Sequence, residues 1–107
     1  MATGRLGTFN FTVAGSTGTV YTVPGTTFAV VTVSICNRTN TAITCRVALS
    51  TSTSPQADEW IEFDTEILPK GVLERTGLVM QASLNLVVYS SSAAVTAVAM
   101  GIETPTA

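Results

Sequence analysis

Residues 28–37 of this 107-residue chain read FAVVTVSICN, and they alternate between two kinds of side chain. Every second residue from Ala29 to Ile35 is apolar, whereas the intervening positions from Thr32 onward are polar or cysteine. A period of two residues predicts a β-strand with one buried face.

Residues 43–50, ITCRVALS, repeat this alternation and are predicted to be the hairpin partner of residues 28–37. The connection NRTNTA is polar and rich in asparagine, which is typical of a turn. In this hairpin Cys36 and Cys45 point to opposite faces, so we expect two free thiols. A disulfide formed through another register remains the alternative, and a metal site is disfavoured because the chain has no histidine.

Six further segments have strand character and are separated by turns rich in Gly, Pro and Ser. They are residues 9–13, 19–23, 60–67, 72–76, 85–90 and 94–102. The sequence therefore predicts one all-β domain over residues 1–107, an antiparallel β-sandwich or jelly roll of about eight short strands. Residues 1–8 are expected to form a flexible arm, and residues 104–107 a loose tail.

The composition indicates a subunit of an assembly. The chain is 46% hydrophobic and only 11% charged, whereas an ordinary soluble domain is about 25% charged, so much of the surface is expected to be buried by partners. Five basic residues and a net charge of −2 provide no basic patch for nucleic acid. No segment approaches the roughly 20 apolar residues of a membrane span, and no secretory leader is recognisable.

No pattern in the chain points to catalysis. A serine or cysteine nucleophile would lack its usual histidine base. The motifs of nucleotide-binding loops and of nucleophile elbows are missing from the sequence. The prediction is a protein without catalytic residues, metal or cofactor.

Acidic residues alternate within the strand predicted over residues 60–67. Glu62, Asp64 and Glu66 are expected to form a row on its outer face, with successive side chains about 6.8 Å apart. Three interpretations stay open. They are a solvated face that protects the sheet from aggregation, ion pairs with Arg46, Arg75 or a partner subunit, and a calcium or catalytic site.

Several residues are candidates for a protein interface. Trp60 is either an exposed anchor or a side chain tucked under the preceding loop. The final strand is apolar on both faces, and we expect one face to pack against another chain. The candidate interface residues are Trp60, Glu62, Asp64, Glu66, Tyr89, Val98, Met100 and Ile102.

Three segments carry a resemblance to a known class of protein. They are residues 23–50 with the ICNR turn, residues 60–80 with GVLERTG, and residues 84–103 with VVYSS and the GIE ending. Over nearly the whole chain they resemble small β-sandwich virion proteins of tailed bacteriophages, notably those of marine and cyanobacterial hosts. The resemblance brings no catalytic residues with it.

The resemblance implies a virion structural protein that is assembled in the host cytoplasm. We expect a capsid decoration or cement protein that binds the major capsid protein or other virion proteins and stabilises the mature head, with a homotrimer as the favoured oligomer. No nucleic acid or membrane partner is expected. The alternative is a tail, neck or fibre component, an adaptor or a receptor-binding knob, in which Trp60 and Tyr89 would offer a platform for stacking sugars.

Overall fold

The computed structural model describes residues 3–106, which form eight β-strands and no helix. The strands are β1 (Thr3–Phe11), β2 (Ser16–Thr22), β3 (Thr27–Asn37), β4 (Ile43–Ser50), β5 (Trp60–Ile67), β6 (Val72–Met80), β7 (Asn85–Ser90) and β8 (Val95–Pro105). The all-β fold class predicted from the alternation is confirmed.

The strands form two antiparallel four-stranded sheets. Sheet I has the order β1-β8-β3-β6, and sheet II has the order β2-β7-β4-β5. One long hairpin pairs β1 with β8, β2 with β7, β3 with β6 and β4 with β5. Two further pairings, β3 with β8 and β4 with β7, complete the two sheets. A long hairpin whose strand pairs alternate between two facing sheets in this way is the jelly-roll form of the β-sandwich.

The core lies between the inner faces of the two sheets. Sheet I contributes the alternating residues of β3 and β8, and sheet II contributes those of β4 and β7. The fully buried members include Phe11, Val31, Val33, Ile35, Cys45, Val47, Leu86, Val88, Val95, Ala97 and Ala99. Burial of these apolar side chains is the main favourable term in the folding of such a sandwich.

The predicted hairpin between residues 28–37 and 43–50 is wrong. β3 lies in sheet I and β4 in sheet II, so residues 38–42 cross between the sheets instead of turning within one. The predicted buried faces are confirmed, since β3 and β4 both bury their alternating apolar residues. Alternation shows which face of each strand is buried, and that face is buried whether β4 pairs beside β3 or lies in the facing sheet.

The side chain of Asn37 joins this crossing to the one at residues 68–71, which leads from β5 to β6. Its Nδ2 donates to the carbonyls of Thr41 (2.8 Å), Ile67 (3.2 Å) and Leu68 (3.1 Å). Its Oδ1 accepts from the Thr39 amide (2.9 Å). Asn37 is fully buried, so its amide takes the place of water for carbonyls at both crossings.

All four edge strands are bulged, whereas both central pairings are regular. β1, β2, β5 and β6 each carry at least one extra residue relative to their neighbour. The β3–β8 and β4–β7 registers run without a shift. Bulges distort the row of unpaired backbone groups on an edge strand, so they hinder its pairing with another chain.

Both ends of the described chain belong to sheet I. Residues 3–8, expected as a flexible arm, are instead part of β1 and pair with β8. Residues 104 and 105, expected in a loose tail, belong to β8, and the Thr106 amide donates to the Thr26 carbonyl at 2.9 Å. Residues 1, 2 and 107 lie outside the described residues.

We expect Asn37→Ala to lower the free energy of unfolding by about 2–4 kcal/mol, because it removes the hydrogen bonds that a fully buried amide makes to both crossings and leaves a void in its place. Urea unfolding followed by circular dichroism measures the change. Asn40→Ala, an exposed asparagine of the same crossing, is the matched control and should change the stability by less than about 0.5 kcal/mol. Equal stability of the two variants would contradict the role of Asn37.

Candidate functional site

The outer face of sheet I exposes a row of apolar side chains. Ile102, Val30 and Val79 are direct cross-strand neighbours on β8, β3 and β6, and they are 53%, 43% and 67% exposed. On the same face, Phe28 lies on β3 two residues before Val30, and Met100 lies on β8 opposite Thr32, two residues after Val30. We call these five residues, Phe28, Val30, Val79, Met100 and Ile102, the apolar row.

The three candidate residues of the final strand all lie on this outer face. Val98 and Met100 are half-buried, and Ile102 is exposed. The opposite side of β8 carries Val95 and Ala97, which are fully buried in the core. The strand is therefore apolar on both sides, as predicted from the sequence, and its outer side is uncovered in the single chain.

Sheet II carries a different group of residues on its outer face. Arg46 of β4 lies opposite Tyr89 of β7, and its Cζ is 4.7 Å from the centre of that ring. The same Cζ is 4.0 Å from the Phe63 ring and 6.0 Å from the Trp60 ring. We call Arg46, Trp60, Phe63, Asp64 and Tyr89 the aromatic cluster.

The members of the aromatic cluster hold each other in place. Trp60 and Phe63 meet edge to face, with ring centres 5.7 Å apart and an angle of 74° between the planes. Asp64 accepts from Arg46 Nε at 2.6 Å and from Arg46 Nη2 at 3.2 Å. This carboxylate raises the pKa of Arg46 above its ordinary value. A two-point ion pair, together with an arginine packed against aromatic rings, gives a more defined geometry than a single exposed charge pair.

A β-bulge places Phe63 and Asp64 on the outer face together. β4 and β5 pair at Cys45 with Thr65 and at Val47 with Glu62, so two residues of β5 lie opposite the single residue Arg46. Asp64 has φ of +53°, a conformation that aspartate tolerates better than most residues. Without this extra residue, simple alternation would turn Phe63 into the core.

The predicted row of three acids on the outer face is therefore wrong. Asp64 is on that face, but the register turns Glu62 toward the interior beside Val47. There Glu62 forms an ion pair with Arg75 of the opposite sheet and accepts from the Thr65 hydroxyl at 2.8 Å. Glu66 is exposed opposite Thr44. Of the open interpretations, pairing with Arg46 and Arg75 is the one that the structure confirms for Asp64 and Glu62.

Glu59 organises the loop that leads to the aromatic cluster. Its carboxylate accepts from the Gln56 amide (2.8 Å), the Ser50 hydroxyl (2.8 Å) and the Thr51 amide (3.1 Å). These hydrogen bonds, the one from Gln56 most strongly, hold the pKa of Glu59 below its ordinary value. Since Glu59 directly precedes Trp60, these hydrogen bonds fix the backbone position from which Trp60 enters the aromatic cluster.

Both cysteines are free and lie in different sheets. Cys36 is half-buried on the outer face of sheet I, and Cys45 is buried on the inner face of sheet II. The two thiols do not meet because they lie in different sheets, and not because they lie on opposite faces of one hairpin as predicted. Burial, with a smaller effect of Glu62 and Asp64, raises the pKa of the Cys45 thiol to about 12.

Comparison with known proteins finds no counterpart for this chain: no family model matches it, and neither a curated protein nor a solved structure does. Residues 3–106 contain no helix with the length and apolarity of a membrane span. Within the same range no three His, Cys, Asp or Glu residues are grouped as metal ligands would be, and no pocket is enclosed.

The sequence indicates part of each surface. Trp60, Asp64 and Tyr89 were predicted and lie together, and Met100 and Ile102 were predicted on the other sheet. The sequence names Arg46 as a possible ion-pair partner of the acids, but it does not indicate Phe63 at the cluster or Phe28, Val30 and Val79 in the apolar row. The apolar residue Val30 among the outward positions of β3 was a signal for the row, whereas no signal in the sequence indicates the bulge.

We expect acid to loosen the loop over residues 51–59. A carboxyl whose pKa is lower in the folded state stabilises that state above its unfolded pKa, about 4.3, and this contribution is lost as the pH falls through the folded pKa. Amide hydrogen exchange at Thr51 and Gln56, corrected for intrinsic rates, should show protection that disappears in acid. In Glu59→Gln the protection should already be reduced at pH 7, whereas the exposed control Glu66→Gln should retain it.

We expect iodoacetamide to modify Cys36 and to spare Cys45 in the folded protein, because Cys45 is buried and stays in its unreactive thiol form. Mass spectrometry of intact protein should show one adduct under native conditions and two in denaturant. In Cys36→Ser the native adduct should disappear. A native adduct on that variant at pH 8 would contradict the assigned burial of Cys45.

Proposed function

We propose that this chain is a non-enzymatic structural protein of a tailed-bacteriophage virion, a decoration or cement protein of the mature head. The observation that carries the proposal is the apolar row, which is exposed on an otherwise well-packed sandwich. Contiguous apolar side chains on a soluble domain commonly mark a protein interface. In this proposal the outer face of sheet I binds the major capsid protein or another virion protein.

The edges of the sheets support binding through a face. The bulges on the four edge strands disfavour the addition of a further strand. Arg75 and Glu62 add an inward-pointing ion pair between the two edge strands β6 and β5, and such charges also block edge pairing. An assembly contact is therefore left to the sheet faces, and of these sheet I is the more apolar.

The charges on sheet I fit the same proposal. By register, Arg5 beside Met100 and Glu74 beside Ser34 are the charged side chains on the outer face of this sheet within the described residues. Both lie away from the central pair Val30 and Val79. An apolar centre with charges at its margin is the usual anatomy of a protein interface.

The jelly-roll fold supports the proposal only by analogy, because known capsid proteins use the same general architecture. Jelly rolls recur in viral capsid domains and in lectins, but a fold by itself does not specify a function. The sequence resemblance to phage virion proteins agrees with the first of these two uses. A cement protein that binds only the mature lattice stabilises it by mass action, and a homotrimer would multiply each weak contact.

A tail, neck or fibre component is the second candidate function, and the aromatic cluster favours it. Exposed rings grouped around an arginine are typical of recognition surfaces. Immunogold electron microscopy with an antibody against this chain separates the two candidates. Label over the whole head supports decoration, label at the tail or neck supports the second candidate, and unlabelled virions overturn both.

We expect Val30→Asp and Val79→Asp each to weaken binding to virions by about tenfold or more, because a charge must lose its water at the contact. Labelled protein is added to particles stripped of the native protein and recovered by sedimentation. The control is Val13→Asp, at a valine that is 64% exposed outside the apolar row. All three variants should keep the wild-type melting temperature, and equal binding by all three would reject this docking face.

A further inference from the structure

The aromatic cluster has the composition of a ligand site on the face opposite the apolar row. Phe63 remains 57% exposed although Arg46 lies against it. Trp60 and Tyr89 are half-buried beside it. Ring surface is thus open to solvent next to a fixed ion pair, and no contact within the described residues covers it.

The polar groups of the cluster retain hydrogen-bonding capacity. Arg46 uses its Nε and Nη2 for Asp64, and a guanidinium has five N–H donors, so Nη1 is left for a ligand. Each carboxylate oxygen of Asp64 can accept a further hydrogen bond. The arginine and aspartate therefore offer donors and acceptors side by side, next to an apolar ring.

We propose that the aromatic cluster binds a neutral pyranose sugar of an oligosaccharide. The flat C–H face of a pyranose ring is apolar and packs on the exposed ring of Phe63, beside the Trp60 ring that stands at 74° to it. The hydroxyl groups at the sugar's edge reach Arg46 and Asp64. This combination of an apolar body and a polar edge is what an aromatic ring beside polar groups accommodates.

The charge around the cluster selects against anionic ligands. Asp64 neutralises Arg46 at 2.6 Å, and Glu66 and Glu59 are on the same strand or directly before it. An acidic sugar or a nucleic acid strand would place its charge among these carboxylates, and it would meet no basic residue besides Arg46 on the strands of sheet II. A neutral glycan avoids that repulsion.

The position of the cluster also suits a bound subunit. Sheets I and II form the two opposite faces of the sandwich, so a protein attached through the apolar row would present the cluster to the solution. The sugar site stands independently of the virion role, since it is measured on the purified protein. Its failure would leave the proposed docking of sheet I untouched, and the reverse also holds.

The single tryptophan of the chain provides the measurement, because Trp60 is part of the cluster. Trp60 fluorescence is titrated with maltohexaose, cellohexaose and a neutral galacto-oligosaccharide, and with hexagalacturonate as an acidic probe. Saturable binding of at least one neutral probe, tighter than that of the acidic one, is the expected result. The absence of a response to all the neutral probes, in fluorescence and in calorimetry, overturns the proposal, as does tighter binding of hexagalacturonate.

Two variants connect any binding to the cluster. Phe63→Ala should weaken binding of the neutral probe by about tenfold or more at an unchanged melting temperature, whereas the exposed phenylalanine of the other sheet, in Phe28→Ala, serves as the control and should leave it unchanged. Asp64→Asn keeps a residue that tolerates the positive φ of the bulge. It should weaken binding of the neutral probe, because one acceptor is replaced, and unchanged or tighter binding of that same probe would refute the assignment.

Discussion

The buried amide of Asn37 holds together the two places where the chain passes between the sheets. A primary amide offers donors and an acceptor in one plane, so a single side chain satisfies the carbonyls of Thr41, Ile67 and Leu68 together with the Thr39 amide. The contact with Ile67 is buried, and a carbonyl that water cannot reach requires such a partner. β4 begins at one of these crossings and β5 ends at the other. The amide therefore ties together the ends of the two strands that carry Arg46, Trp60, Phe63 and Asp64 of the aromatic cluster.

The sandwich treats its edges and its faces in opposite ways. Every edge strand has an irregular register, and the gap between β5 and β6 contains the ion pair of Glu62 and Arg75. The central strand pairs of both sheets have a regular register, and the outer faces carry exposed apolar and aromatic side chains instead. Sheets with open edges aggregate through backbone pairing, which depends little on sequence, whereas contact through side chains selects its partner. A protein that must assemble with specific neighbours benefits from this arrangement.

The two faces differ in what they offer a partner. The apolar row on sheet I has no hydrogen-bonding side chain at its centre, so it suits a large, flat protein surface. The aromatic cluster on sheet II combines open ring surface with a neutralised ion pair, and this combination suits a small amphipathic group. Two bulges in β5 contribute to the difference: the first exchanges Glu62 for Phe63 on the outer side, and the second returns Trp60 to that side opposite Ala48.

The alternation of apolar and polar residues by itself determined that the chain is all-β, approximately where its strands lie apart from residues 3–8 of β1, and that residues such as Val31 and Val33 are buried. It could do so because a period of two is a local property of extended backbone. The partners of each strand were decided only by the tertiary structure, because the inner face of β4 is buried equally well in a hairpin or in the facing sheet. The outward turn of Phe63 was also decided there. A bulge arises from pairing with β4 and from the ion pairs to Arg46 and Arg75, which are 18 and 13 residues away from their acidic partners in the chain.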